Sequence, residues 1–443
     1  MRWGIVAAGV VALAGNAWAQ EPSALPFPTT CSGVAAARYQ YSVSSTWKAT
    51  KIAGGLRQPR SMIFDPQGNM LVLQATSGIS VHTFGADGCI NSTKTLVTNG
   101  QLNHGLSLTP DGTKLYASSV STVWQWDYDA ATMAVSNQKV VVQGIGQGIH
   151  STRTTLVVPN KPNLLVVQVG SNNNWDMDAS SINTGRACVR VFDMSAVPAS
   201  GYQYNSGGWA LGYGLRNEVG LAFDPNGMVW GVENSGDDFA RTVNGQRTDI
   251  HIDNPAEELN YLGDPSTPST NWFGYPTCFT VWDGSVIQDA TLKTGDQMVV
   301  TSSGGANASF PDAMCAEKSI PPRLSFPAHT APITNVFDAD GTNMYVTLHG
   351  SWDRKPQASG YKVVQVPFTK KEDGSYDPVA AADSKTGFTD IMWATNLEQC
   401  NSPGLTVSSC FRLAGLVFDP AGSRLFVSSD NNAEGELFIL GKK

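Results

Sequence analysis

An apolar run, a turn built on Pro or Asp with Gly, and a second apolar run recur along this chain. The phrase reads MIFDPQGNMLVL from Met62 to Leu73, LSLTPDGTKLYA from Leu106 to Ala117, and TLVVPNKPNLLVV from Thr155 to Val167. It returns as LAFDPNGMVWGV from Leu221 to Val232, TNVFDADGTNMYVTL from Thr334 to Leu348, and LVFDPAGSRLFVS from Leu416 to Ser428. Gly, Asn and Asp supply the positive-φ turn positions, so each copy predicts a β-hairpin. Hairpins recurring at about forty residues or more leave room for two further strands each, the mark of a propeller blade. Six copies predict an all-β, six-bladed β-propeller with four-stranded blades and long loops on one face. The alternative is an open sandwich in which the phrase is only a frequent turn. Helical periodicity is scarce, which disfavours an α/β fold. The strand around Tyr39 to Ile52 and the segment Glu436 to Leu440 are placed to pair and close the ring, removing exposed edges.

Composition sets the compartment and the partners. Arg2, the apolar run Ile5 to Ala14 and the exit Ala17-Trp18-Ala19 predict a secretory signal peptide over 1–19, leaving a single domain over 20–443. The apolar run is too short to span a bilayer, which needs about twenty residues, and no later stretch is longer. A net charge of −8 without a basic run argues against nucleic acid as the partner. The chain is expected to be a secreted, extracellular monomer. None of the seven cysteines forms a CxxC pair or a zinc-spaced cluster. In an exported chain they predict disulfides. Proximity pairs Cys31 with Cys89, Cys278 with Cys315 and Cys400 with Cys410, leaving Cys188 as a buried free thiol. The sequons at Asn91 and Asn307 predict glycan acceptors in a eukaryotic secretory pathway.

A hairpin puts the residues entering its first strand and leaving its second at the same end. Upstream of the six turns stand Arg60, His104, His150 with Arg153, Arg216 with Asn217, His329, and Arg412. After the second strands come Glu233 to Asp237, His349 to Arg354, and Asp430-Asn431. Singly, such an Arg is usually a surface residue paired with Asp, and such a His is often structural. Jointly they describe a cationic funnel with candidate general bases, suited to a small polyanion in a preformed cavity. Asn234, Asp237, Asp238 and the carbonyls of Ser235 and Gly236 are hard oxygen donors for Ca²⁺, although the same residue types make ordinary turns. Gly144 to Gly148 is glycine-rich but lacks the following helix that a dinucleotide fingerprint needs. No P-loop, HExxH or GxSxG is present.

The phrases that carry most information are Pro59-Arg60-Ser61-Met62, His150 ahead of Leu156-Val157-Val158, Gly214 to Leu221 (GLRNEVGL), Asn254 to Asn260 (NPAEELN), Phe273 to Cys278 (FGYPTC), and His349 to Arg354 (HGSWDR). In these the chain resembles the glucose/sorbosone dehydrogenase superfamily of soluble quinoproteins, and especially its secreted fungal pyranose dehydrogenases. The resemblance implies a pyrroloquinoline quinone (PQQ) cofactor gripped by Arg60, Arg216, Arg354 and Arg412, with Asn217 beside the quinone and His104 and His349 also at the cofactor. It implies a Ca²⁺ held partly by the Ser235 and Gly236 carbonyls. It implies His150 as the base that takes the proton of a sugar's anomeric hydroxyl while hydride leaves C1 for the quinone. His104 and His349 stay open as alternatives for the base, because Ile149 stands where bacterial relatives have an acidic residue. Neither the haem domain nor the cellulose-binding module of some relatives is found, so electrons are expected to leave to a separate acceptor: a diffusible quinone, a cytochrome or a copper polysaccharide oxygenase.

Two other classes compete. A calcium-dependent propeller lactonase would use acidic and Asn ligands in the channel, but the four-arginine mouth argues for a bound polyanion. A non-enzymatic sugar-binding propeller would use loop aromatics such as Trp272 and Trp352 as contacts.

Overall fold

Each repeated phrase closes as a hairpin because its turn satisfies its own backbone. Asp65 accepts from the amides of Gln67 and Asn69 at 2.9 and 2.8 Å, and Asp224 accepts from Asn226 and Met228 at 2.9 and 3.0 Å. Asp419 repeats the pattern with Arg424 at 2.9 Å. Gly68, Gly227 and Gly422 take the left-handed turn positions, with φ of 79°, 80° and 65°.

The computed structural model describes residues 23–243, 246–300, 311–354, 356, 358–400 and 410–443. The signal peptide expected over 1–19 and the sequon at Asn307 lie outside these residues. The strands form a six-bladed β-propeller. The innermost strands, blade one to blade six, are Pro59–Phe64, Leu102–Leu108, Thr155–Val157, Glu218–Phe223, Pro332–Phe337 and Leu413–Phe418. Blades one, three, four and six have four strands. Blade two gains Tyr202–Gln203 on its outer edge, and blade five gains Tyr41–Val43 and Tyr376–Pro378. Alternate residues of each strand face the two neighbouring blades, as the period of two requires. Val229 and Leu262 of blade four pack with Val166 of blade three, while Trp230 and Leu259 pack with Met344 of blade five.

The ring closes through the N-terminal segment, with a shifted boundary. Trp47–Leu56 pairs with Gly435–Lys442 of blade six, Trp47 facing Lys442 and Leu56 facing Gly435. Tyr41–Val43, expected in the same closing strand, caps blade five instead. A buried ion pair, Lys51 Nζ to Glu436 Oε1 at 2.8 Å, fastens the closure.

The disulfides pair as expected: Cys31–Cys89, Cys278–Cys315 and Cys400–Cys410, with Cys188 free and buried. The long interval between the fourth and fifth phrases carries two hairpins, Ala240–Val243 with Gln246–Asp249 and Cys278–Thr280 with Gln297–Val299, and the helix Asp312–Lys318. Among the described residues no helix is long and apolar enough to cross a membrane. Asn91 lies exposed on the outer strand of blade one.

Candidate functional site

The inner strands surround a central cavity of about 330 Å³, lined near one end by Ser61, His104, Thr154, Val219 and Thr334. Above it the residues that precede the first strands and follow the second strands meet, and they fall into two groups.

The first group comes from blades one, two, five and six. Asp430, just past the second strand of blade six, accepts from His349 Nε2 at 2.8 Å through Oδ1, and from Arg60 Nη1 through Oδ2. Burial opposes its ionisation, but His349, Arg60 and Arg412 together hold its carboxyl well below the ordinary range. Burial lowers the His349 imidazole to about 4, helped by the nearby Arg412 charge, so it is neutral at neutral pH. Burial, and then Arg60, likewise push His104 well down. Several groups here lack partners. His104 Nδ1 and Arg412 Nε are buried with no hydrogen bond, and the Arg412 guanidinium has no hydrogen-bond acceptor among the described residues. Its backbone is nonetheless fixed, by Arg412 N–H to Ser429 Oγ at 3.2 Å and Asp430 N–H to Arg412 O at 2.9 Å. A charged donor set held rigidly without acceptors fits an anionic ligand.

The second group comes from blades three, four and five. His150 sits in a loop ahead of blade three, its Nδ1 within 3.0 Å of Ser171 O and 2.9 Å of Ser171 Oγ. Donation to the carbonyl puts the proton on Nδ1 and leaves Nε2 as the lone-pair nitrogen. Burial, and then the Arg216 charge, hold His150 well below its usual range. Gly170 lets His150 and Asn217 pack together: a Cβ there would stand 2.6 Å from Asn217 Oδ1 and 2.7 Å from His150 Cβ. Asn217 Oδ1 is itself buried without a partner.

Arg216, expected as a cofactor clamp, has its fork already spent within the protein. Nη1 donates to Asn234 O at 3.2 Å and to Ser235 O, and Nη2 donates to Asn174 Oδ1 and Asp237 Oδ2, each at 2.8 Å. Only Nε, buried and unpartnered, is left for a ligand. Arg153 is a loop staple, donating to Val120 O at 2.9 Å and Gly146 O at 2.8 Å. Arg354 reaches Asp253 Oδ1 at 3.1 Å and Ala328 O at 3.4 Å.

Beside Arg216, single ligand atoms of Asp237, His329 and Asp353 lie within 4.8 Å of one another. His329 Nε2 is hydrogen-bonded to His251 O, which leaves Nδ1 turned to Asp237 at 3.9 Å. Burial raises the Asp353 carboxyl to about 6, partly offset by the Asp238 amide that donates to it at 2.9 Å. Of the two carbonyls expected to bind a cation, that of Ser235 is taken by Arg216, while that of Gly236 accepts no hydrogen bond among the described residues. The sequence places Asp353 at the mouth within His349 to Arg354 but gives it no role, and it does not single out Ser171 or Asn174. The rule that residues just past a second strand reach the mouth, extended to the segment after Leu164–Val169, points to Ser171 and Asn174.

The sequence pattern of the TrAA12-like family matches residues 41–443. A pyrroloquinoline quinone-dependent pyranose dehydrogenase of Coprinopsis cinerea is 41% identical over 414 residues, covering 93% of this chain and 56% of that protein. The chain thus spans about half the length of that curated relative. A pyrroloquinoline quinone-dependent sugar dehydrogenase of Hypocrea jecorina is 36% identical over 406 residues, covering 89% of this chain and 87% of that protein. The solved holo form of the Coprinopsis cinerea pyranose dehydrogenase PQQ domain is 40% identical, with a TM-score of 0.89, covering 94% of this chain and all of that domain. By sequence and by fold, the chain belongs to the TrAA12-like family.

Proposed function

We propose that this chain is a secreted quinoprotein that oxidises a pyranose sugar at C1 with PQQ and passes the electrons to a separate acceptor. The observation that carries the reading is the unmatched Arg412 guanidinium beside Arg60, Arg60 lying in the innermost strand of blade one and Arg412 just ahead of that of blade six. A planar ligand with several carboxylates supplies acceptors for this pair, and guanidinium forks match carboxylates better than lysine does. When bound, PQQ supplies an ortho-quinone that takes up hydride.

The chain's own residues account for the rest. Arg412 and Arg60 bind and orient the carboxylates. Asn217, with its free Oδ1, lies beside His150 and positions a donor group of cofactor or sugar. His150, neutral and with Nε2 unbonded, takes the proton of the anomeric hydroxyl, and Ser171 holds the ring in the tautomer this requires. Calcium would be held by the carboxylates of Asp237 and Asp353 with the Gly236 carbonyl, a hard-oxygen set, and would stabilise negative charge at the neighbouring ligand. The Ser235 carbonyl already accepts from Arg216 and would offer that set its second lone pair. The three disulfides support export, since such bridges persist in oxidising compartments.

The test is to add PQQ and Ca²⁺ to the purified chain and follow the quinone spectrum on addition of pyranoses. A bound-quinone spectrum that sugars bleach is expected. Lactone hydrolysis that needs calcium but not PQQ would establish the lactonase reading instead, and sugar binding with neither activity would establish a lectin-like module.

A further inference from the structure

We propose that Glu257 is a positioning residue, a single buried carboxyl group that clasps the Arg216 loop of blade four to the His349 end of blade five. The inference rests on the reading of the mouth as a quinone and sugar site. Glu257 opens the third strand of blade four, Glu257–Gly263, and is 3% exposed. Its side chain faces blade five, because strand alternation sends its neighbour Glu258 the other way. Its Oε2 accepts from the Ser235 amide at 2.7 Å and its Oε1 from the Ala331 amide at 3.2 Å.

Both clasped residues hold site groups. The Ser235 carbonyl accepts from Arg216 Nη1, and the Ala331 carbonyl accepts from the His349 amide at 2.9 Å. Glu257 is therefore two hydrogen bonds from Arg216 on one side and two from His349 on the other. Ala331 also has a φ of 49°, a conformation that a non-glycine residue keeps only when its surroundings fix it. Two amide donors need two acceptor oxygens. A carboxyl group keeps an oxygen lone pair for each in either protonation state, whereas a glutamine would set its own N–H₂ against one of them. Burial pushes this carboxyl up to about 8, against the two amides and the Arg216 charge that favour the ionised form. Beneath the same site Glu233 does a smaller version of this task, accepting from the Arg216 amide at 2.6 Å.

The test uses the full chain and Glu257→Gln. Hydrogen exchange read by mass spectrometry should quicken together at the segments around Ser235 and Ala331, with other blades unchanged. In the PQQ- and calcium-loaded protein, sugar oxidation should fall about 10–100-fold, the usual effect of losing an outer partner of a site. The loss should be non-additive with that of Arg216→Lys, because both act through the Ser235 carbonyl. Unchanged exchange at either segment, or full additivity, overturns the clasp. If wild-type protein does not bind PQQ, the functional reading fails, while the exchange result still decides the clasp. If Glu257→Gln does not fold, wild-type exchange decides it: the Ser235 and Ala331 amides must open with a common protection factor, and distinct factors overturn the proposal.

Discussion

The two halves of the mouth differ in their charge ledger. On the blade one and six side, two guanidiniums, Arg60 and Arg412, share one carboxylate, Asp430, and the neighbouring His104 and His349 are kept neutral. On the blade four side Arg354 is matched by Asp253, and one further guanidinium, Arg216, faces the carboxylates of Asp237 and Asp353. One half lacks anions and the other has them in excess. A ligand that brings carboxylates to the first half and a cation to the second satisfies both, and neither half is complete alone. The arginines therefore differ in role despite similar positions in the repeat: Arg412 is open to a ligand, whereas Arg216 is built into the wall.

The largest expected effect tests which half carries the base. His150→Ala should keep PQQ binding but slow quinone reduction by roughly 10²–10⁴-fold, the range for loss of a general base. Stopped-flow reduction by sugar measures it. If His349→Ala or His104→Ala gives that loss and His150→Ala does not, the base belongs to the arginine-rich half. Because burial keeps His150 neutral, its acid limb should lie well below the ordinary histidine range, so activity should hold as pH falls through about 6.5. A limb centred near that value would show an unshifted base.

Next in size are the arginines. Arg412→Lys should weaken PQQ binding by about 1.5–3 kcal/mol, as for a hydrogen bond to a charged group, because an ammonium cannot reproduce a directed fork. Calorimetric titration checks this. Arg216→Lys should weaken it too, but with quickened hydrogen exchange around Asn234 to Asp237, since four protein acceptors lose their donor. Equal exchange in the two variants would erase the distinction between ligand clamp and wall. Asp237→Asn should lower calcium affinity and leave the Arg412 half intact. In the wild type, chelation should weaken PQQ binding, and equal affinity with and without chelator would contradict a shared calcium.

The smallest effect concerns stability. Burial holds His82 and His349 down to about 4 from 6.5. Between those values the unfolded chain binds protons that the folded chain does not, so stability falls as pH falls through that window. Burial raises Glu257 to about 8 and Glu258 to about 7 from 4.5. There the folded chain binds the extra protons, and stability falls as pH rises. The calcium-free protein should therefore be most stable between about 4.5 and 6.5. Denaturant midpoints that climb steadily from pH 5 to 8 would contradict this balance.

Much of the fold was legible because the hairpin phrase is local: turn Asp and Gly residues act within five positions, and the repeat multiplies the signal. The placement of Arg60, His150, Arg412 and Asp430 at one end follows from the same repeat. What each side chain does there was not legible. Arg216 and Arg412 occupy equivalent places ahead of their strands, and only three-dimensional acceptors such as Asn174 and Asp237 distinguish a spent fork from a free one. The meeting of Asp353 with His329 and Asp237, and the clasp by Glu257, join segments far apart in sequence. Tyr41–Val43 was read into the closing strand because edge pairing leaves no mark on so short a run.

A crystal structure of the chain with PQQ and Ca²⁺ tests the dipolar mouth most directly. The account predicts PQQ carboxylates at about 2.7–2.9 Å from the Arg412 guanidinium, the distance of a charge-assisted bond, with the cation on the Asp237 and Asp353 side. Carboxylates on the blade four side, or a cation beside Arg412 and Arg60, would contradict it.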